Sequence, residues 1–206
     1  MLRWFKPVVF VACLVPVAHL LWAFYHDGLG ANPIEFITHS TGDWTLRLLL
    51  VTLSVTPIRK LTGQYWLIRY RRMFGLFAFF YGCLHLTTYV WLDKWFALRE
   101  ILADVVKRPF ITAGFTALVL MVPLALTSTA WSVRKLGGKR WQALHRLIYL
   151  SAIAGVVHYW WLVKADVTKP RQYAIVLGML LLYRIIAWRR GKRASAPLAK
   201  VHAGFS

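Results

Sequence analysis

Acidic residues are scarce in this sequence, which has seven Asp and Glu against 26 Lys and Arg and a formal net charge of +19. The seven lie between long apolar runs and never inside them: Asp27, Glu35, Asp43, Asp93, Glu100, Asp104 and Asp166. The N-terminus, the second and fourth connections and the C-terminal tail carry only basic charges. Because short basic loops stay in the cytoplasm and contact anionic headgroups, this distribution indicates membrane topology and lipid contact rather than nucleic-acid binding.

Cysteine and nucleotide-binding motifs are scarce too. The two cysteines, Cys13 and Cys83, both fall in apolar runs, which argues against a disulfide framework. No CxxCH motif occurs, so covalent haem attachment is not indicated. The stretch GLGANP at 28–33 lacks the third glycine of a dinucleotide fingerprint and is better explained by a turn. Redox chemistry in this chain therefore requires electrons from another protein or from the lipid phase.

Long apolar runs dominate what is present, with 59% hydrophobic residues and a mean hydropathy of +0.53. A membrane crossing needs roughly 20 mostly apolar residues. Six runs qualify or come close, at about 7–25, 44–58, 72–92, 109–127, 141–163 and 171–188. They are too long for strands and lack strict alternation, so the sequence predicts an all-α integral membrane protein, a six-helix transmembrane bundle. Residues 1–190 form one domain, both termini are cytoplasmic, and 191–206 is a basic, disordered tail.

Four histidines lie within the predicted spans: His19, His85, His145 and His158. Ionisable residues at membrane depth are functional candidates, although a helix–helix hydrogen bond is the ordinary alternative for any one of them. His85 lies about 12 Å, and His158 about 9 Å, below the outer boundary of its helix. Matched depth on two helices suits one haem with an imidazole on each face. His145 lies about 7.5 Å above the inner boundary, too far to share that iron.

Other residues bear on the same prediction. Gly75, Gly82 and Gly155 are expected to leave room for a large ring, although small residues also serve close helix packing. Zinc is the competing metal, but it prefers four ligands, and no acid lies within a span. For His19 and His39 we predict a structural role.

Three stretches carry a family resemblance: RRMFGLFAFFYGCLHLTTY (71–89), RPFITAGFTALVLMVPLALTST (108–129) and WQALHRLIYLSAIAGVVHYWW (141–161). With GLGANPIEFITHSTG (28–42) as a first outside loop, they closely resemble the MsrQ (YedZ) family. More distantly, they resemble the transmembrane domain of ferric reductases and NADPH oxidases. The resemblance covers about residues 7 to 190.

The resemblance implies a b-type cytochrome of the bacterial inner membrane with an associated FMN. It implies electron transfer from quinol or a cytosolic flavin reductase to a periplasmic molybdopterin enzyme, which reduces methionine sulfoxide in oxidised proteins and so repairs them. The family's candidate haem ligands fall on His85, His145 and His158. The chain itself would carry electrons and make no bonds. The outside loops, with Glu100 and Asp104, are expected to dock the acceptor.

The inner half of the predicted bundle differs from the related oxidases, whose third helix carries a second histidine. Here that position, fourteen residues before His85, is Arg71. A guanidinium has no free lone pair for iron, but it suits a haem propionate or a flavin phosphate. We therefore predict one robust haem b in the outer half and at most one weaker haem near His145. The basic inner loops are a further candidate for the flavin phosphate, although topology explains their charges.

Alternative functions remain at this point. A ferric-reductase-like carrier would pass electrons to another acceptor. A small transporter would need polar residues along a path, whereas His and Arg are nearly the only ionisable residues in the spans. A structural anchor for another subunit would be colourless. A Soret band that shifts on reduction distinguishes the electron-transfer functions from the transporter and the structural anchor.

Overall fold

The structure, a computed structural model, describes residues 5–202, with side chains for 5–190. This part of the chain consists of helices and connections, without a strand. The α-helices are α1 Phe5–Tyr25, α2 Pro33–Thr62, α3 Ile68–Thr87, α4 Leu98–Lys107, α5 Pro109–Leu126, α6 Ala130–Leu136, α7 Gly138–Leu144, α8 Leu147–Leu162 and α9 Thr168–His202. A 3₁₀ turn at Tyr65–Leu67 precedes α3, and a π-helical turn at Thr88–Asp93 extends it.

Four segments are long and apolar enough to cross a membrane: Phe5–Tyr25, Tyr65–Asp93, Pro109–Leu126 and Thr168–Arg190. The chain is thus an all-helical, multi-pass membrane protein. Two further long helices, α2 with 30 residues and α8 with 16, pack among them. The count of six spans and the cytoplasmic position of both termini stay predictions.

Helix α2 begins eleven residues before the predicted span at 44–58 and includes most of the predicted first outside loop. Its start is capped by Asn32, whose Oδ1 accepts from the Glu35 N–H at 3.3 Å while its Nδ2 donates to Glu35 Oε2 at 2.9 Å. Pro33 follows at the first helical position, where its missing N–H costs nothing. Hydropathy missed these turns because they carry acids. As a result, Thr38 and Gly42 are held on a helix and not on a loop.

The predicted span at 141–163 is broken in two. Helix α7 ends at Leu144, His145 forms its C-cap, and α8 begins at Leu147. His145 therefore lies at a two-residue turn between two helices, and the crossing of the membrane by 141–163 as one span stays a prediction. The break is held by α5, since the Trp141 indole N–H donates to the Thr127 carbonyl at 2.9 Å.

The core lies where α1, α2, α3 and α8 meet, around Leu53, Ala78, Tyr81 and Ala152, none of which is exposed. The Tyr81 hydroxyl donates to the Cys13 carbonyl at 2.8 Å and accepts from the Val17 N–H at 3.2 Å. It thereby satisfies backbone groups of α1 on either side of Pro16 and fixes α1 to α3.

The last helix, α9, continues to His202, past the predicted start of the tail at residue 191. The side chains of 191–206 lie outside the described residues, and the disordered tail stays a prediction.

Candidate functional site

The structure brings His85 and His158 together at the end of the bundle where α3 ends, which the sequence predicts to be the outer one. His85 comes from the last turn of α3 and His158 from α8. Their ring centroids are 6.0 Å apart, and the ring planes are inclined by 77°. The sequence placed the two histidines at one depth, and in the structure their side chains also point toward each other. Their role as ligands is not tested by this juxtaposition alone.

Each ring is oriented by a backbone carbonyl of a neighbouring helix. His85 Nδ1 lies 2.9 Å from the Thr38 carbonyl of α2, and His158 Nδ1 lies 2.6 Å from the Phe110 carbonyl of α5. A carbonyl can only accept, so both Nδ1 atoms carry the proton, and both Nε2 atoms keep the lone pair. Metal-bound histidines commonly show this arrangement, because the bond fixes tautomer and ring orientation.

Two glycines face the rings and allow this close approach. A Cβ at Gly42 of α2 would lie 3.2 Å from His85 Cε1 and Nδ1. A Cβ at Gly114 of α5 would lie 2.7 Å from His158 Nδ1 and 3.0 Å from Cε1 and Cγ. Each imidazole therefore lies between a carbonyl that orients it and a glycine on the same helix, one turn further on.

The spacing of the rings agrees with one metal ion between them. A metal–imidazole bond is about 2 Å long. A five-membered ring with bonds of about 1.3 Å places its nitrogen about 1.1 Å from its centroid. Two such ligands on opposite sides of one ion have centroids about 6.2 Å apart, by doubling that sum. The observed 6.0 Å matches. The residues present therefore fit a haem with two axial histidines.

The competing zinc site lacks ligands. No group of three or more His, Cys, Asp or Glu side chains within the described residues could hold a metal ion. In the same part of the chain, neither His85 nor His158 has a hydrogen-bond partner at Nε2. Two free imidazole nitrogens without a third ligand suit a metal whose remaining positions are filled by a macrocycle.

His145 is engaged differently, and the structure does not bring it to the pair. The Thr127 hydroxyl donates to the Pro123 carbonyl at 2.6 Å and contacts His145 Nε2 at 3.0 Å. The only hydrogen of the Thr127 hydroxyl is donated to Pro123, so the hydroxyl oxygen must accept the bond from His145 Nε2–H. The lone pair of the His145 ring is therefore on Nδ1. The His145 ring also stacks on Trp141, with centroids 3.9 Å apart. His145 has an evident packing role beside any cofactor role.

Arg71 has two other arginines, from two other helices, within electrostatic range. Arg71 of α3 lies within electrostatic range of Arg59 of α2, Arg184 of α9 and His145. Arg184 donates to the Tyr149 hydroxyl at 3.0 Å and to the carbonyls of Leu180 and Leu53. Arg59 Nε is buried without a partner in the described part of the chain. We call Arg59, Arg71 and Arg184 the inner arginine cluster.

The inner arginine cluster contains no acid, because every described carboxylate lies toward the other end of the bundle. Such a cluster has the chemistry to bind a phosphate or carboxylate. Sequence reasoning found Arg71 from its position before His85. It missed Arg184, although an arginine inside the last apolar run was a visible signal.

The glycines chosen from the sequence serve packing instead. The added Cβ would meet Thr52 at Gly75, Leu118 and Thr45 at Gly82, and Leu46 at Gly155. These contacts support the packing role that the sequence left open, and room for a ring at these positions stays a prediction. Gly42 and Gly114 were missed, because only the tertiary contact distinguishes them from other helical glycines.

Of the two histidines set aside as structural, His39 lies within electrostatic range of His85, because it directly follows Thr38. His19 is exposed on α1. His39 is exposed on α2, with Nε2 4.0 Å from Glu35 Oε1.

At the same end of the bundle as the histidine pair, Asp104 of α4 connects several neighbouring side chains. Its carboxylate accepts from the Tyr89 hydroxyl at 2.8 Å and pairs with Lys94 at 3.1 Å and Arg108 at 3.0 Å. The bonds from Tyr89 and Lys94 hold the pKa of the Asp104 carboxyl below its usual range. Only 9% of Asp104 is exposed, so it is not the free docking charge expected from the sequence. Glu100 remains exposed.

Comparisons with known proteins agree with this architecture. Residues 41–156 match the family described as "Ferric reductase like transmembrane component". The chain is 53% identical over 194 residues to the "Protein-methionine-sulfoxide reductase heme-binding subunit MsrQ" of Herminiimonas arsenicoxydans, covering 93% of this chain and 89% of that protein. The protein of the same name from Azospira oryzae is 54% identical, covering 88% and 78%. That from Rhodospirillum rubrum is 53% identical, covering 92% and 91%. No solved structure matches.

Proposed function

The chain belongs to the MsrQ family of ferric-reductase-like membrane proteins, and from this membership we propose that it is a b-type cytochrome that carries electrons across the bacterial inner membrane. The acceptor is the periplasmic molybdopterin subunit of a protein-methionine-sulfoxide reductase system, which repairs oxidised proteins. The observation that carries the proposal is the His85–His158 pair, with its spacing of 6.0 Å and both Nε2 lone pairs free.

The outer site holds haem b through His85 and His158. Bound there, the haem supplies reversible one-electron storage close to the outer surface. The chain contributes the position of the two imidazoles, through the carbonyls of Thr38 and Phe110 and the space at Gly42 and Gly114. Absence of a CxxCH motif supports non-covalent attachment.

The inner arginine cluster holds an anionic cofactor group. FMN, which the family resemblance implies, offers a phosphate that three guanidiniums from α2, α3 and α9 would neutralise. The alternative ligand is a second, more weakly bound haem at His145, one of whose propionates would pair with Arg71. The unpartnered Nε of Arg59 supports an anion at this end of the bundle.

Electron flow runs outward. Six spans with both termini cytoplasmic give the outer site its periplasmic position, and the segregation of basic residues supports this topology. Electrons enter on the inner side from quinol or from a cytosolic flavin reductase, because no nucleotide-binding domain is found among the described residues.

The test is haem retention in histidine variants. His85→Ala or His158→Ala should remove most of the Soret absorbance per protein and all electron transfer to the partner. His145→Ala should keep a substantial low-spin spectrum and slow electron entry from the inner side. His19→Ala, a histidine exposed on α1, is the matched control and should be spectrally unchanged.

The opposite pattern would contradict the assignment. Loss of haem in His145→Ala, with retention in His158→Ala, would place the main site in the inner half. A colourless wild-type protein would favour a transporter or an anchor. Haem-containing protein that reduces ferric chelates and never associates with a molybdoenzyme would favour the ferric-reductase-like alternative.

A further inference from the structure

A cleft opens between α1 and α3 at the end where both helices begin, on the far side of the bundle from the His85–His158 pair. It has a volume of about 280 Å³. Three cationic side chains from the first two turns of the helices line it: Lys6, Arg69 and Arg72. The same cleft is walled by apolar side chains, chiefly Phe10, Met73, Leu76 and Phe77.

The polarity of this cleft changes along the helix axes. On α3, Leu76 lies seven residues beyond Arg69, a distance of about 10 Å. On α1, Phe10 lies one turn beyond Lys6, or about 6 Å. The edge-to-face contact of Phe10 with Phe77, at a centroid distance of 5.1 Å, closes the apolar end. Cations thus stand at the mouth of the cleft and apolar side chains lie deeper in the bilayer.

The cations of the cleft lack compensating acids. No ion pair joins Lys6, Arg69 or Arg72 to a carboxylate in the described part of the chain. All three cationic side chains are exposed, so a ligand from the membrane can reach them.

We propose that this cleft binds one anionic phospholipid. Its headgroup phosphate contacts Lys6, Arg69 and Arg72, and one acyl chain lies against Phe10, Met73 and Leu76. A phospholipid satisfies both ends of the cleft, since it joins a negative phosphate to hydrocarbon over the same distance and in the same direction. A free phosphate would satisfy only the mouth. The inference concerns lipid binding alone and does not depend on the proposed redox function.

The experiment measures lipid binding to the full chain with its cofactors, in neutral detergent, by native mass spectrometry. Phosphatidylglycerol is titrated against phosphatidylcholine with the same acyl chains, and inorganic phosphate is added as competitor. Arg69→Gln with Arg72→Gln should weaken phosphatidylglycerol binding about 25-fold, because each cation near an anionic headgroup contributes roughly a fivefold factor. The matched control, Arg189→Gln with Arg190→Gln, removes two exposed charges at the end of the apolar segment Thr168–Arg190 of α9 and should leave binding unchanged.

A second variant tests the apolar end. Leu76→Trp fills the space beyond the cations and should reduce phosphatidylglycerol binding while keeping all three charges. An unchanged thermal midpoint in every variant reports intact folding. Equal binding of the two lipids, or equal loss in both double variants, would overturn the proposal in favour of non-specific surface charge. Displacement by inorganic phosphate, with no effect of Leu76→Trp, would overturn it in favour of a simple phosphate site.

Discussion

Adding one methyl group at Gly114 should damage the outer site. The new Cβ would lie 2.7 Å from His158 Nδ1 and 3.0 Å from Cε1 and Cγ. The His158 ring cannot move aside freely, because its Nδ1 is bonded to the carbonyl of Phe110, one turn before Gly114 on α5. Either that bond breaks or the ring leaves its position opposite His85.

The magnitude follows from these two contacts. Overpacking a tight site costs about 1–3 kcal/mol, and a lost hydrogen bond costs about 1 kcal/mol. Together they amount to about 2–4 kcal/mol, which is a loss of haem affinity of about 30-fold or more. The centroid spacing of 6.0 Å is already that of a bound pair, so small ring displacements are not absorbed.

Soret absorbance per protein, measured during haem titration, is the assay. Gly42→Ala is the graded comparison and should do less harm, because its Cβ would lie 3.2 Å from His85. Gly178→Ala on α9 is the control, since no atom lies within 4 Å of the added Cβ. It should keep full haem content and stabilise the helix by about 0.5–1 kcal/mol. Wild-type haem affinity in Gly114→Ala would refute this account of the site.

Two further predictions concern the scaffold. Tyr81→Phe removes the hydroxyl that joins α3 to two backbone groups of α1, and should lower the thermal midpoint by an amount equivalent to about 1–3 kcal/mol without changing the haem spectrum; an unchanged midpoint would contradict the role given to that bond. Folding lowers the pKa of Asp104, so its contribution to stability is present above the carboxyl's unfolded pKa and is lost as pH falls through the lower folded value. Thermal melts from pH 7 to pH 3 should therefore show a loss in the wild type that Asp104→Asn lacks, and parallel curves would count against this contribution of Asp104.

Much of the outer site was predictable because it depends on helix register. The placing of His85 and His158 at one depth needs only the rise per residue and a boundary at the first charged residue. Arg71 was likewise found by counting along one helix face. Both inferences use distances that run along a single helix; the structure shows the two histidine rings facing each other, and the roles of His85, His158 and Arg71 stay predictions.

The bounds of the helices were less predictable. Hydropathy located the apolar parts of α2 and α8, but α2 begins at a cap beside acids, and α8 loses its first turns to a break. The Asn32–Glu35 cap was visible in the sequence and would have corrected α2. The break at His145 was not, because it is held by Thr127 and Trp141 across two helices.

By itself, the sequence determined the class of the protein, its helical membrane-embedded character and the identity of the two histidines that face each other. These follow from hydropathy, residue chemistry and helix period, which are local properties. Only the tertiary structure decided which carbonyls orient the rings, which glycines make room for them, and which arginines join Arg71. Those contacts connect residues of different helices, from 12 to 113 positions apart along the chain. Their distances depend on how the helices rotate and cross, and no pattern along a single helix specifies that rotation.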